Sequence, residues 1–463
     1  MARTLLANAR ILTGECLRVG ALGIEGPDIV GIWVRGEGVS YDEKAIEAFP
    51  GAEIIDLGGR LLMAGGIDAH VHFREPGMTQ KADMESESKA ALLGGITSFI
   101  DMPNTSPPCT TIEALQDKLT RAEGRSWCNY GFHLGATNAN VGIINEYIAD
   151  GLGKYFFGIK VFMGSSTGNM LVDREDSLQN IFKLKGKPIL IHSEDEGIIK
   201  ANLEKAKAKF CEYDKEGRLV RDGIPFSEHS LIRSREACVK STHKALKLAE
   251  EFGTRLHILH VSTSDEVDMI REAKSRGVHV TAETSANYLW FDDSAYDSMK
   301  GLVKCNPAIK TAQDRVALRK ALADGTIDVI GSDHAPHLLS EKQRDYLNCP
   351  SGVPSVQQSL SVAFTVAHQC GIPLTRIASA YSENIAYILG IEKRGFLKTG
   401  SRADLTVIDP DEEFTVGIPA YKCGWTPYEG LRLCGAVKMV FLNGELAVRD
   451  GIVVSSKPSG QAI

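Results

Sequence analysis

Four histidines and one aspartate in this chain sit where a divalent metal would be bound. His70 and His72 occur as D-A-H-V-H directly after a short apolar run, and residues two apart in extended backbone point to the same side. His192 follows a second apolar run (188–194), His260 ends a third (255–261), and Asp333 ends a fourth (327–333). One such histidine alone would be an ordinary buried residue. Four of them with a carboxylate at the ends of different strands match the nitrogen and oxygen donor set of zinc or a similar ion. His133, His229, His243, His257, His279 and His368 lack that placement and are read as structural. Lys160 lies inside the apolar stretch GIKVFM, where an unpaired ammonium is costly. It is either a buried lysine paired with a carboxylate or an amine of lowered pKa that takes up carbon dioxide to become an anionic carbamate ligand.

These residues need a scaffold that brings distant strand ends together. Eight apolar runs recur at 61–68, 96–103, 128–135, 156–163, 188–194, 255–261, 278–283 and 327–333, most separated by stretches of helical period. Eight buried strands alternating with helices predict a parallel (β/α)₈ barrel, whose active site lies at the carboxyl ends of its strands. An open nucleotide-binding sheet would need a glycine-rich loop after the first strand, and none is present. The run GSSTGN (164–169) lacks the Lys-Ser/Thr ending of a phosphate loop. The ends of the chain read as β-segments and turns, with Asn443-Gly444 a hairpin signal. The expected organisation is a composite β-sandwich of residues 1–60 and 395–463 beside a catalytic barrel of residues 61–394. Residues 200–223, with charges alternating in sign, read as a solvated helix and loop. The segment after Asp333, rich in loop residues, is expected to cover the mouth of the barrel.

The 463 residues carry a formal charge of −7, which argues against a nucleic-acid partner. Ten cysteines without a CxxC pair suit a reducing cytoplasm. There is no signal-peptide pattern at the start and no apolar run long enough to span a membrane, so a cytoplasmic protein without membrane association is expected.

The chain resembles the cyclic amidohydrolases (dihydroorotase, hydantoinase and allantoinase) along essentially its whole length. The motifs that carry the likeness are DAHVHFREPG (68–77), DMPNT (101–105), GIKVFMGSSTGNM (158–170), IHSED (191–195), ILHVS (258–262), KCNPAIK (304–310), GSDHAPH (331–337), TPYEG (426–430) and VFLNGELAVRDG (440–451). The resemblance implies two zinc ions. His70, His72 and Asp333 would hold the first, His192 and His260 the second, and carbamylated Lys160 and a hydroxide would bridge them. Some dihydroorotases bridge with an aspartate instead.

His72-Phe73-Arg74 is the dihydroorotase form of the first motif, and a guanidinium suits the carboxylate of dihydroorotate, which hydantoin and allantoin lack. The resemblance places Asn104 and His337 at the other carboxylate-binding positions and Asn306 against the pyrimidine ring, with Asp333 as the catalytic proton carrier. The expected reaction is the reversible cyclisation of N-carbamoyl-L-aspartate to (S)-dihydroorotate for pyrimidine synthesis, in a homo-oligomer acting on a small molecule. Hydantoinase, dihydropyrimidinase and allantoinase chemistry, and a non-catalytic homologue, are the alternatives. Two departures bear on ring and mouth contacts: Ala308 replaces a common second proline, and AETSANYLWF (282–291) lacks a histidine pair that many dihydroorotases carry there.

Overall fold

The computed structural model describes residues 2–34, 41–164 and 170–463. Residues 165–169 of the glycine-serine run lie outside it. Eight parallel strands form the barrel: β1 (Gly66–Val71), β2 (Ile96–Asp101), β3 (Asn129–Phe132), β4 (Ile159–Phe162), β5 (Ile189–His192), β6 (Leu256–Ile258), β7 (Val280–Ser285) and β8 (Val329–Gly331). Backbone pairing runs in that order. Leu134–Gly135, which continues from β3, supplies its link to β4. A parallel bridge from Val71 to His334 joins β1 to the end of β8 and closes the ring. The strands are buried on both faces, which is why they read as near-continuous apolar runs instead of alternating ones.

A helix follows each strand: Met84–Leu93, Ile112–Ala122, Val141–Ala149, Glu175–Phe182, Arg235–Phe252, Ser264–Ser275, Ala312–Asp324 and Val356–Cys370. Their starts are fixed chemically. Asp83, Thr263 and Thr311 each accept on the side chain from the backbone of the residue three further on, and donate their own backbone N–H to the side chains of Ser86, Glu266 and Asp314. Gly253, Gly325 and Gly371 end three helices in the left-handed conformation. The ends of the barrel strands are thereby held at one rim. Ile67, Ala69, Ile100, Val329 and Ile385 pack together below it.

The second layer is a β-sandwich built from both ends of the chain. Its path runs Ile452–Val453, Glu445–Arg449, Arg432–Leu442, Leu405–Thr415, Leu61–Ala64, Arg3–Leu12, Leu17–Glu25 and Asp28–Val34, with Glu53–Asp56 alongside Arg3–Leu12. Leu6, Leu22, Leu62, Leu405 and Phe441 form its core.

Three local readings need correction. The run 61–68 is not one barrel strand. Leu61–Ala64 pairs with Arg3–Leu12 and Leu405–Thr415, and the chain turns into the barrel at Gly65. A Cβ there would meet Thr97 side-chain atoms at 2.3 Å, so glycine is required for that close passage. The 200–223 segment is helical over Glu196–Phe210 but then forms an exposed two-stranded ribbon, Glu212–Tyr213 with Leu219–Arg221. Asp214 organises its turn by accepting from the Glu216 and Arg218 amides. A helix, Tyr41–Ala48, also interrupts the amino-terminal strands.

The Asn443-Gly444 hairpin forms as read, both residues having positive φ (52° and 85°). A Cβ on Gly444 would lie 1.9 Å from the Gly26 carbonyl oxygen. Gly444→Ala is therefore expected to destabilise the fold by about 2–3 kcal/mol, measured as a lower urea midpoint at unchanged slope.

Candidate metal centre and substrate pocket

A small cavity opens at the carboxyl rim of the barrel. His70, His72, Arg74, Asn104, Lys160, His192, His260, Asn306 and Asp333 all line it. His337 does not, but its Nε2 lies 3.1 Å from Arg74 Nη2. The rim thus gathers the residues singled out from the sequence, drawn from β1, β4, β5 and the turns after β1, β2, β6, β7 and β8. Ala335, Ser351 and Gly352 from the segment after β8 form part of the wall.

Three of the four histidines are aimed by an acceptor behind the ring. His70 Nδ1 lies 2.6 Å from Glu283 Oε1, and His72 Nδ1 lies 2.7 Å from Asn104 Oδ1. Both acceptors demand a proton on Nδ1, so Nε2 of each ring presents a lone pair. Both Nε2 atoms lie 3.3 Å from Asp333 Oδ1. In tetrahedral zinc coordination with bonds of about 2.05 Å, donor atoms are separated by about 3.3 Å. The His70, His72 and Asp333 donor atoms all lie within 4.8 Å of one another and can hold one metal ion.

His192 is turned the other way. Its Nε2 lies 2.7 Å from Glu194 Oε2, which leaves Nδ1 as the lone-pair atom, 3.0 Å from His260 Nε2. Glu194 is in turn clamped by the Arg233 guanidinium. His260 Nδ1 is buried without a hydrogen-bond partner. The two facing nitrogens belong to rings that both line the cavity. Among the described residues, the donor set that fits a metal ion is His70, His72 and Asp333.

Electrostatics point the same way. Burial pushes the pKa values of His70 and His260 well below the ordinary histidine range, and those of His72 and His192 down too. Neutral rings are the form that binds metal. Burial alone would raise Asp333, but His70, His72 and Lys160 beside it outweigh that and keep it ionised. Burial lowers Lys160 to about 7, against the opposing pull of Asp333 and Glu283, so a free amine is present at neutral pH. Asp68, whose Oδ1 accepts from the His70 and Ser332 amides, is raised to about 7 by burial.

The backbone is strained at this rim. Arg74, His260 and Asp333 adopt positive φ of 64°, 39° and 48°. The Arg74 turn is fixed from beneath, because Asp101 Oδ1 accepts from the Phe73 amide while Lys118 neutralises the other oxygen. Sequence reading missed Glu283, Glu194, Arg233, Asp101 and Lys118. A signal existed for two of them: Glu194 stands two residues after His192, and Glu283 is a carboxylate in an otherwise apolar and hydroxylated strand.

None of the six histidines read as structural lines the cavity. His133, His229 and His257 are buried and bond to Ala69 O, to Tyr346 Oη with Cys305 O, and to Thr281 Oγ1. His243, His279 and His368 are exposed. All ten cysteines are free thiols, and no helix among the described residues is long and apolar enough to cross a membrane.

Residues 61–447 match the sequence model of the amidohydrolase family. A dihydroorotase from Methanosarcina acetivorans is 33% identical over 439 residues, covering 92% of this chain and 88% of its own. An allantoinase from Streptomyces avermitilis is 30% identical over 453 residues, covering 96% and 95%. The solved structure of an L-hydantoinase (dihydropyrimidinase) from Arthrobacter aurescens superposes with a TM-score of 0.89 at 25% identity, covering 100% of this chain and 99% of that one.

Glu283 tests how far the outer acceptors matter. Glu283→Leu is expected to weaken metal affinity by about 10- to 100-fold, read by chelator competition. Gly331→Ala should act in the same direction, because its Cβ would sit 2.5 Å from the Glu283 carboxylate. Unchanged affinity in both variants would show that His70 needs no acceptor behind it.

Proposed function

Since the chain belongs to the amidohydrolase family and is a hydrolase of cyclic amides, we propose that it is a dihydroorotase, interconverting (S)-dihydroorotate and N-carbamoyl-L-aspartate. The observation that carries this reading is Arg74. Its side chain is buried in the pocket wall, it donates to Pro336 O, and no carboxylate among the described residues pairs with it. Burial lowers its pKa only to about 10, so it stays cationic. A desolvated guanidinium without a protein anion suits a ligand that brings a carboxylate. Dihydroorotate and carbamoyl-aspartate do so. Hydantoin and allantoin do not.

His70, His72 and Asp333 would hold one zinc ion and His192 and His260 the other. Lys160 would join them as a carbamate: its amine nitrogen bonds the carbon of CO₂ and releases one proton. When bound, the metal pair supplies polarisation of the amide carbonyl and an acidified water. The side chains do the rest. Arg74 fixes the ring by its carboxylate, and Asn104 adds an amide donor beside it. Asn306 Oδ1, buried in the wall without a hydrogen-bond partner, accepts a ring N–H. Asp333 turns Oδ1 toward His70 and His72 and, ionised at rest, can take up a proton in transit. In the ring-opening direction it takes that proton from the attacking water and delivers it to the departing amide nitrogen. Cyclisation reverses these moves.

A cytoplasmic location, a homo-oligomeric state and a place in pyrimidine synthesis belong to the same proposal, and the ten free thiols suit the first of these.

Arg74→Met is expected to lower kcat/KM for dihydroorotate by about 100-fold or more, since a charge-assisted contact to a buried group is lost. Wild-type preference for hydantoin or allantoin, with Arg74→Met harmless, would overturn the substrate assignment. For Lys160, apo-enzyme reloaded with zinc in bicarbonate-free buffer should show little activity and recover it on adding bicarbonate. Full activity without bicarbonate would rule out the carbamate.

A further inference from the structure

Behind Arg74 lies a chain of polar contacts that the reaction as described does not use. His337 Nε2 is 3.1 Å from both Arg74 Nη2 and the Ser351 carbonyl, while its Nδ1 is 3.0 Å from Lys81 Nζ. Lys81 is held in place by Glu341, 2.9 Å away, and Glu341 also accepts from the Leu338 amide. The His337 carbonyl accepts from Trp425 Nε1, which fixes the backbone of the ring. Gly352 lines the pocket beside it, and a Cβ there would lie 3.2 Å from His337 Nε2.

The donor and acceptor roles follow from Lys81. An ammonium can only donate. His337 Nδ1 must then present its lone pair to Lys81, and the ring proton must sit on Nε2. Of the two groups near Nε2, only the Ser351 carbonyl can accept it. Arg74 Nη2, itself a donor, gets nothing from this ring and keeps its N–H for another acceptor. The opposite tautomer reverses each relation. With the proton on Nδ1, pointing toward Glu341 Oε2 at 3.8 Å, Nε2 becomes an acceptor. It would then capture Arg74 Nη2 and release Ser351.

From this geometry we infer that Lys81 is a positioning residue for substrate recognition: by fixing the His337 tautomer it keeps the Arg74 guanidinium available to a ligand carboxylate and pins the Ser351–Gly352 wall of the pocket. Burial, followed by the charges of Arg74, Lys342 and Lys81, drives the His337 pKa far down, so the ring stays neutral and the tautomer is the only variable. The inference deepens the dihydroorotase reading and rests on it for its kinetic consequence. The tautomer itself does not depend on that reading.

The test uses the zinc-loaded full-length enzyme and three variants. Lys81→Met removes the donor, Lys81→Arg keeps one, and His337→Asn assigns the ring signals. In protein labelled with ¹⁵N-histidine, wild type and Lys81→Arg should show His337 protonated on Nε2, and Lys81→Met should move the proton to Nδ1. For dihydroorotate, Lys81→Met should raise KM by about 10- to 100-fold with kcat changed less than about threefold. Lys81→Arg should recover most of that loss. A His337 signal unchanged in Lys81→Met overturns the inference, as does a KM within about twofold of wild type. Should the wild type fail to turn over dihydroorotate, the substrate reading falls and the kinetic half of the inference with it, while the nitrogen shifts still decide whether Lys81 sets the tautomer.

Discussion

The interior of the rim is governed by the cost of burying polar atoms. An unpaired imidazole N–H or lone pair in a dry environment costs on the order of 1–3 kcal/mol, and this pocket buries four imidazoles at its wall. Three outer acceptors meet most of that cost: Glu283 behind His70, Asn104 behind His72, and Glu194 behind His192. Each also decides which nitrogen is left facing the cavity. Satisfying the protein's own hydrogen bonds and presenting lone pairs to a cation are therefore one arrangement. Glu194 needs a further partner, since a buried carboxylate next to a neutral ring is not stable alone, and Arg233 supplies it.

The same accounting explains what could be read from the sequence. His70 and His72 declare themselves by spacing, because extended backbone puts alternate residues on one side. His192, His260 and Asp333 declare themselves by ending apolar runs, because in a barrel those ends share a rim. The groups behind these rings were less legible, because even where a residue could be noticed its partner could not. Glu283 reaches His70 across 213 positions and Lys81 reaches His337 across 256, so neither pair has a local pattern. Lys81, in TQKADM, reads as a surface lysine. The misassignment of residues 61–64 has a physical cause as well. Leu61–Ala64 and β1 are both buried and apolar, and only the sterically closed passage at Gly65 separates a sandwich strand from a barrel strand.

Strain and chemistry coincide at Arg74, His260 and Asp333. Positive φ is unfavourable for residues with a Cβ, by about 1–3 kcal/mol each, and persists only where the surroundings over-determine it. Here they do. The amide before Arg74 is tied to Asp101. The His260 amide faces Glu283 at 3.4 Å, and His334, next to Asp333, accepts the His72 amide through its carbonyl. His334 is itself locked between Glu87 and the Ser355 amide. The barrel's stability is what holds three side chains in directions that relaxed backbone would not give them.

The pocket is thus polar in two different senses. On the metal side, neutral rings and an ionised Asp333 offer electron pairs and call for cations. On the substrate side, Arg74 offers protons and calls for an anion, and no described carboxylate answers it. These demands must be kept apart, because a carboxylate near Arg74 would neutralise the group proposed to select the ligand. Glu341 shows how the fold manages this. It lies close enough to enter the cluster, but Lys81 and the Leu338 amide occupy its oxygens, and the ring of His337 stands between it and the guanidinium. A negative charge that would otherwise compete with the substrate is turned into the anchor of the residue that keeps Arg74 open.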